Sequence, residues 1–136
     1  MAKAGPKLHP NQFQVNEAWI AFRLNDEPIQ TVQDGLFEVI CLMDAASCFI
    51  FGAAFVRTGE SDPSEFDARR LLKAGWVHKK QFPSTLFLPK GQFQTTLSAE
   101  AKRLKISVVS VPESQLMDFI GEARQGFREH LQGEKQ

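Results

Sequence analysis

WIAFRLN (residues 19–25) and GLFEVICLMDAASCFIFGAAF (residues 35–55) are the stretches on which the fold turns. In the first, Trp19, Ile20, Ala21 and Phe22 form a short run rich in side chains that fit a pleated, buried surface, so it reads as a strand. In the second, LFEVICLM is a nearly continuous apolar run, as expected of a central strand buried on both faces. Pro28 and the Asp34-Gly35 pair between the two runs supply turn chemistry. Asp44, Ala45, Ala46 and Ser47 then break the pattern before CFIFGAAFV resumes it. The spacing predicts a meander of three antiparallel strands.

Beyond this meander the periodicity changes. In TGESDPSEF, Asp62 is placed to cap a helix, with Pro63 at its first position and Glu65 completing a capping box. Ala68, Leu71 and Leu72 share one face of that helix, which is expected to stop near Gly75 with Trp76 covering its end. TLFLP, closed by Pro89-Lys90-Gly91, reads as a fourth strand, and Phe93, Leu97, Ala101 and Leu104 as one face of a second helix. ISVVSV is a fifth strand ending at Pro112. Leu116, Phe119, Ile120, Ala123, Phe127 and Leu131 trace the buried face of a last helix. The fold class is therefore α/β, a five-stranded mixed sheet in which three antiparallel strands precede alternating helices and strands, covered by helices. Residues 1–15, with Pro6 and Pro10 and no apolar period, read as a flexible arm, 16–132 as the single domain and 133–136 as a disordered tail.

Composition bounds the function. The 136 residues are 43% hydrophobic and 24% charged, which suits one folded domain and excludes disordered, collagen-like and disulfide-scaffold classes. Sixteen basic residues balance sixteen acidic ones, so no global attraction to phosphate backbones exists. Cys41 and Cys48 lie in apolar runs without CxxC spacing, and read as buried thiols. His9, His78 and His130 are far apart and have no ligand partner one helical turn away, so no zinc site is expected. Ser47 beside Cys48 has no adjacent base, and neither a nucleophile elbow nor a phosphate-binding glycine loop occurs. The first fifteen residues lack the apolar region of a signal peptide, and Glu38, Asp44 and Ser47 interrupt the longest apolar stretch. A cytoplasmic location without membrane association is the expectation.

Across residues 16 to 131 the chain resembles the ribonuclease H-like core of the retroviral integrase and insertion-sequence transposase superfamily. WIAFRLN resembles the family's first strand, which opens with Trp and carries the first catalytic Asp three residues later. GLFEVICLMDAASCFIFGAAF resembles its second strand, Asp-x-x-Ser turn and third strand. TLFLPKGQF resembles the fourth strand, where family members place an Asp before a basic or polar residue and Gly, and ISVVSVPESQ resembles the fifth strand leading to the helix of the third acid. The resemblance implies phosphodiester cleavage or strand transfer by two divalent ions held on three carboxylates, about 3.5–4 Å apart. Here the first position is Phe22 and the second Pro89, and neither offers the oxygen ligand a hard cation requires. Asp118 and Glu122, one turn apart on the last helix, are the residual acids at the third position. Asp44 ends the second strand, away from that site, and reads as a turn former. The triad is read as absent, and no metal or cofactor is expected.

One local feature stands apart from the neutral total. RRLLKAGWVHKK (residues 69–80) carries Arg69, Arg70, Lys73, Lys79 and Lys80 around Trp76 with no acid among them. These residues are nucleic-acid-binding candidates, Trp76 offering a stacking face, or a solvated helix face whose charges pair with Glu60, Asp62, Glu65 and Asp67. FIFGAAFVR is faintly similar to an RNA-recognition-motif strand, but the element order excludes that fold. Three functions follow from the sequence: a catalytically inactive integrase-core-like module that binds or assembles, an enzyme with a rearranged acidic site drawn from Asp26, Glu113, Asp118 or Glu122, and a purely structural oligomer. The expected partners are a second copy, as the resemblance implies, nucleic acid, or an unidentified protein.

Overall fold

The computed structural model describes residues 8–25, 29–31, 35–57, 62–93 and 95–134. Its strands are β1 (Ala18–Arg23), β2 (Ile29–Thr31), β3 (Gly35–Asp44), β4 (Ile50–Arg57), β5 (Thr85–Pro89) and β6 (Ser107–Val111), and its α-helices α1 (Glu65–Lys79), α2 (Thr96–Arg103) and α3 (Met117–Glu134). β3 is central to the antiparallel half. Its Ile40–Met43 segment pairs with β1 on one side and β4 on the other. Phe37 pairs with both Ile29 and Arg57, which places the three-residue β2 on the same side of β3 as β1. The sheet is therefore five strands wide, in the order β4-β3-β1-β5-β6, with β1, β5 and β6 parallel. This is the mixed architecture expected from the order of elements.

The continuous apolar runs are explained by burial on both faces of the sheet. Trp19 and Ala21 of β1 and Ile40 and Leu42 of β3 point to a core closed by Ala68, Leu71 and Leu72 of α1 and Leu97 and Ala101 of α2. Ala18, Ile20 and Phe22, with Val39, Cys41 and Met43, point to the opposite core, closed by Leu116, Phe119 and Ile120. Alternate residues of each strand thus feed two separate layers. The Asp44 turn forms as expected, its carboxylate accepting hydrogen bonds from the Ser47 amide and hydroxyl, each at 2.8 Å. Asp44 also accepts from the Asn16 amide at 2.7 Å, and so ties the entry to β1 to the β3–β4 connection.

Several local expectations are corrected. Ser64, not Asp62, caps α1, its hydroxyl accepting from the Asp67 amide, because the Asp62 carboxylate accepts from the Thr95 amide and joins the starts of α1 and α2. α1 runs past Gly75 to Lys79, and Lys80 adopts the left-handed cap at φ 57°. Gly75 is internal because the Trp19 indole lies against it: a β-carbon there would sit 2.5 Å from the ring. Trp76 is therefore a residue of the helix and not a cover for its end. Phe93 precedes α2 at φ 58° with its side chain buried, and Leu104, at the helix end, is exposed. Part of the expected N-terminal arm is placed: Leu8 donates its amide to Gln115 O, and the Phe13 ring packs on Phe87 and Phe119 at 5.7 and 6.1 Å. At the other end, α3 continues through Gly133 and Glu134, which the sequence assigned to a tail. Residues 1–7, the Asp26-Glu27-Pro28 loop, Asp34, Glu60 and residues 135–136 lie outside the described residues.

Candidate functional site

The register of the parallel pair β1–β5 matches Ile20 with Phe87, so continuing it by two residues sets Phe22 beside Pro89. The fold thus brings together the two positions at which the resemblance implies acids. Phe22 is fully buried, in one cluster with Leu116, Phe119 and Ile120. Pro89 is buried too, paired with Val111 of β6. An aromatic ring and a pyrrolidine in van der Waals packing have no lone pair to give a hard cation.

Asp118 and Glu122 differ from them in burial. Both are exposed, because α3 turns Phe119, Ile120 and Ala123 toward the sheet and these acids lie outside that stripe. Glu122 instead lies within electrostatic reach of Cys48, whose thiol is pushed up by burial first and then by the charges of Glu122 and Asp44. Among the described residues no group of three or more His, Cys, Asp or Glu side chains could hold a metal ion.

A guanidinium occupies the neighbourhood of Phe22. Arg124 of α3 is buried, and donates through Nε to the Arg23 carbonyl at 3.0 Å and through Nη2 to Glu113 Oε1 at 2.7 Å. The acceptor on β1 is thus the residue directly after Phe22. Arg23 itself forms a 3.7 Å ion pair with Glu38. Glu113, one of the acids considered for a rearranged site, is committed to Arg124, and Asp26 is not described. Sequence reasoning passed over Arg124. Its signal was available: it sits between Ile120, Ala123 and Phe127 on the inward stripe, where an arginine must find partners.

The basic segment of α1 divides into two halves. Arg69 pairs with Glu65 at 3.0 Å and with the nearly buried Glu100 at 3.2 Å, and Glu100 also holds Arg103 at 3.3 Å. Arg70 pairs with Asp67 at 3.2 Å and donates to the Ala53 carbonyl of β4. Lys73 and Lys80 are exposed and Lys79 is half-buried, and among the described residues none of the three forms an ion pair. The Lys80 ammonium lies 5.0 Å from the Trp76 ring centroid, a cation–π contact. Elsewhere, a surface cavity of about 230 Å³ lies between the end of β4 and the start of α1, where Arg57, Asp62 and Asp67 put both charge signs on its wall.

No family model matches the sequence, and no curated protein matches it either. Solved structures do. The chain is similar to one in the simian T-cell lymphotropic virus intasome, a structure in complex with PP2A regulatory subunit B56 gamma, with TM-score 0.54 and 15% identity over 91% of this chain. It spans 40% of that chain's length. It is also similar to the catalytic core domain of BIV integrase, with TM-score 0.53, 13% identity and coverage of 88% of this chain and 72% of that one. At such identity the shared property is the arrangement of strands and helices: the chain has the ribonuclease H-like fold of an integrase core.

Proposed function

We propose that this domain is a non-catalytic integrase-core-like module that works by binding, to nucleic acid or to protein, including a second copy of itself. One observation carries the reading: where the resemblance implies metal-holding acids, Phe22 is packed in an apolar cluster and Pro89 is buried, and Arg124, paired with Glu113, bonds the carbonyl of the residue after Phe22. Among the described residues, an ion entering there would meet the Arg124 guanidinium and, in Glu113, a carboxylate already paired with it, which opposes the two-ion clamp on attacking and leaving oxygens. The proposal places the protein in the cytoplasm; among the described residues no helix is long and apolar enough to cross a membrane.

The test pairs two assays. Isothermal titration with Mg²⁺ and Mn²⁺ is expected to give no saturable binding, and labelled single- and double-stranded oligonucleotides are expected to stay intact in either metal. Saturable metal binding, or cleavage that Asp118→Ala and Glu122→Ala together abolish, would replace this reading with the rearranged acidic site. Fluorescence anisotropy with the same oligonucleotides at two salt concentrations, with an Arg69/Arg70/Lys73 charge-removal variant alongside, then separates nucleic-acid binding from protein assembly. Phosphate contacts weaken steeply with salt, whereas an apolar protein interface does not.

A further inference from the structure

We propose that single-stranded nucleic acid binds along the shoulder of α1 that faces α2, with Trp76 stacking on an unpaired base and Lys73, Lys80 and Arg103 contacting phosphates of the same strand. The site rests on the reading of the domain as a binding module, and gives that module a ligand class and a place to hold it.

Charge is divided between the two faces of the sheet. From Ala68 to Pro112 the chain carries nine Lys or Arg and one acid, Glu100, although the whole chain is neutral. That segment supplies most of α1 and all of α2, the helices that close one core. From Glu113 to Glu134, which includes α3 on the opposite face, five acids outnumber two arginines. A polyanion is therefore drawn to the face of α1 and α2, although the total charge is zero.

The two helices start side by side, since Asp62 accepts from the Thr95 amide and the Thr96 hydroxyl donates to the Pro63 carbonyl at 2.6 Å. α2 has eight residues and α1 fifteen, so the last turns of α1 run on past the end of α2. Arg69, Lys73, Trp76 and Lys80 follow at intervals of three or four residues and so share one shoulder of α1. The bond from Arg69 to Glu100 turns that shoulder toward α2, and Arg103, bonded to the same carboxylate, borders it from the other side. Trp76 lies past the end of α2 and is 38% exposed.

These side chains suit a nucleotide strand. Lys73 and Lys80 are exposed, form no ion pair among the described residues, and are set about 10 Å apart along the helix. Arg103 uses only Nη1 on Glu100, which leaves Nε and Nη2 to donate to a phosphate. The Lys80 ammonium lies over the Trp76 ring at 5.0 Å. A phosphate that draws the ammonium aside uncovers the ring for the adjoining base. Bases within a duplex already stack on their neighbours, so the indole selects an unpaired one.

The test titrates the full chain with a dT oligonucleotide of about fifteen nucleotides and reads tryptophan fluorescence. The chain has two tryptophans and Trp19 is fully buried, so quenching reports a base on Trp76. Quenching is expected at low salt, with log K falling against log salt at a slope of about −2, as three phosphate contacts to a single strand give. Lys73→Gln with Lys80→Gln should reduce that slope to about −0.7. By anisotropy with a labelled strand, Trp76→Ala should weaken binding about tenfold, whereas Trp76→Phe keeps most of it. Thermal denaturation verifies that each variant folds. Equal affinity for duplex, binding without quenching, variants that leave affinity and slope unchanged, or displacement by poly-glutamate of matched charge would overturn the proposal, the last by assigning the surface to acidic protein. Absence of binding at low salt would also overturn it, and would leave the domain a protein-binding module. Metal-dependent cleavage of the bound strand would instead remove the non-catalytic reading and leave the site standing.

Discussion

Replacing Arg124 by Ala is expected to cost about 3 kcal/mol of folding stability, although the residue lies in no hydrophobic cluster. The figure follows from two of its bonds. The Arg124 side chain is 10% exposed and that of Glu113 30%, and they meet at 2.7 Å. A hydrogen bond to a charged group contributes about 1.5–3 kcal/mol, with the lower end appropriate for Glu113, whose carboxylate regains water when released. The bond from Nε to the Arg23 carbonyl joins the end of β1 to α3, residues far apart in sequence, and its loss leaves that carbonyl beneath the helix. Together they give roughly 3 kcal/mol, about a 10 °C fall in Tm for a domain of this size. Urea denaturation read by tryptophan fluorescence measures the change as a lower midpoint at constant slope. Glu113→Gln keeps an acceptor oxygen and removes only the charge, so it should cost about 1 kcal/mol, and the double variant should show a coupling of about 1–2 kcal/mol. An Arg124→Ala protein within about 0.5 kcal/mol of the parent would refute the reasoning, since that is the behaviour of an exposed, unengaged arginine.

Three further outcomes follow from the packing and the buried polar groups. Gly75→Ala, a change that ordinarily stabilises a helix interior by about 1 kcal/mol, should here destabilise by about 2 kcal/mol or more, because the new β-carbon would overlap the Trp19 ring; a raised urea midpoint would contradict the close approach. Asp44→Ala removes the acceptor of three hydrogen bonds at 2.7–2.8 Å and should cost about 3 kcal/mol, with Asp44→Asn recovering roughly half, measured in the same titration. Burial pushes the Cys41 thiol up to about 12 from its ordinary 9.0. The unfolded chain therefore loses this proton first, and stability should fall by about 1.4 kcal/mol per pH unit between roughly pH 9 and 12, a slope that Cys41→Ala removes. Native Cys41 should also resist alkylation at pH 8 until denaturant is added, and fast labelling would contradict its burial.

The central part of the fold was legible because both layers of the sheet are written in strand residues. The alternation of Trp19 and Ala21 against Ile20 and Phe22 reads as an unbroken apolar run only when helices cover both faces, and the element order then leaves few topologies. Local boundaries were less legible wherever a tertiary partner changed a residue's task. Asp62 has the sequence context of a cap, but Thr95, which is distant in the chain, claims its carboxylate. Gly75 has the context of a helix stop, but Trp19 requires the missing side chain in mid-helix. That Phe22 and Pro89 stand where the resemblance implies acids was legible residue by residue. What stands beside them was not, since the Arg124 bonds span the length of the domain and short-range periodicity marks an inward arginine only as an irregularity. On α1 the basic run was visible, yet its division into paired arginines and unpaired lysines depends on Glu100, which lies beyond the helix.

The positions of Phe22 and Pro89 also depend on their surroundings, which bears on how the domain could change. A carboxylate placed at Phe22 alone would be buried among Leu116, Phe119 and Ile120, where an uncompensated charge is strongly unfavourable. A carboxylate at Pro89 would meet the same layer from the next strand. Removing Arg124 would strand Glu113 and the β1 carbonyl. Each single step toward a metal site therefore lowers stability before any ligand set is complete. The apolar packing and the Arg124 bond to the β1 carbonyl both hold α3 on the sheet, and the same sheet order is compatible with quite different chemistry at the strand ends. The surface of α1 is under no such mutual constraint. Lys73, Val77 and Lys80 face solvent and take no part in either core, so selection can change them without cost to the fold, and a function based on binding has its freedom there.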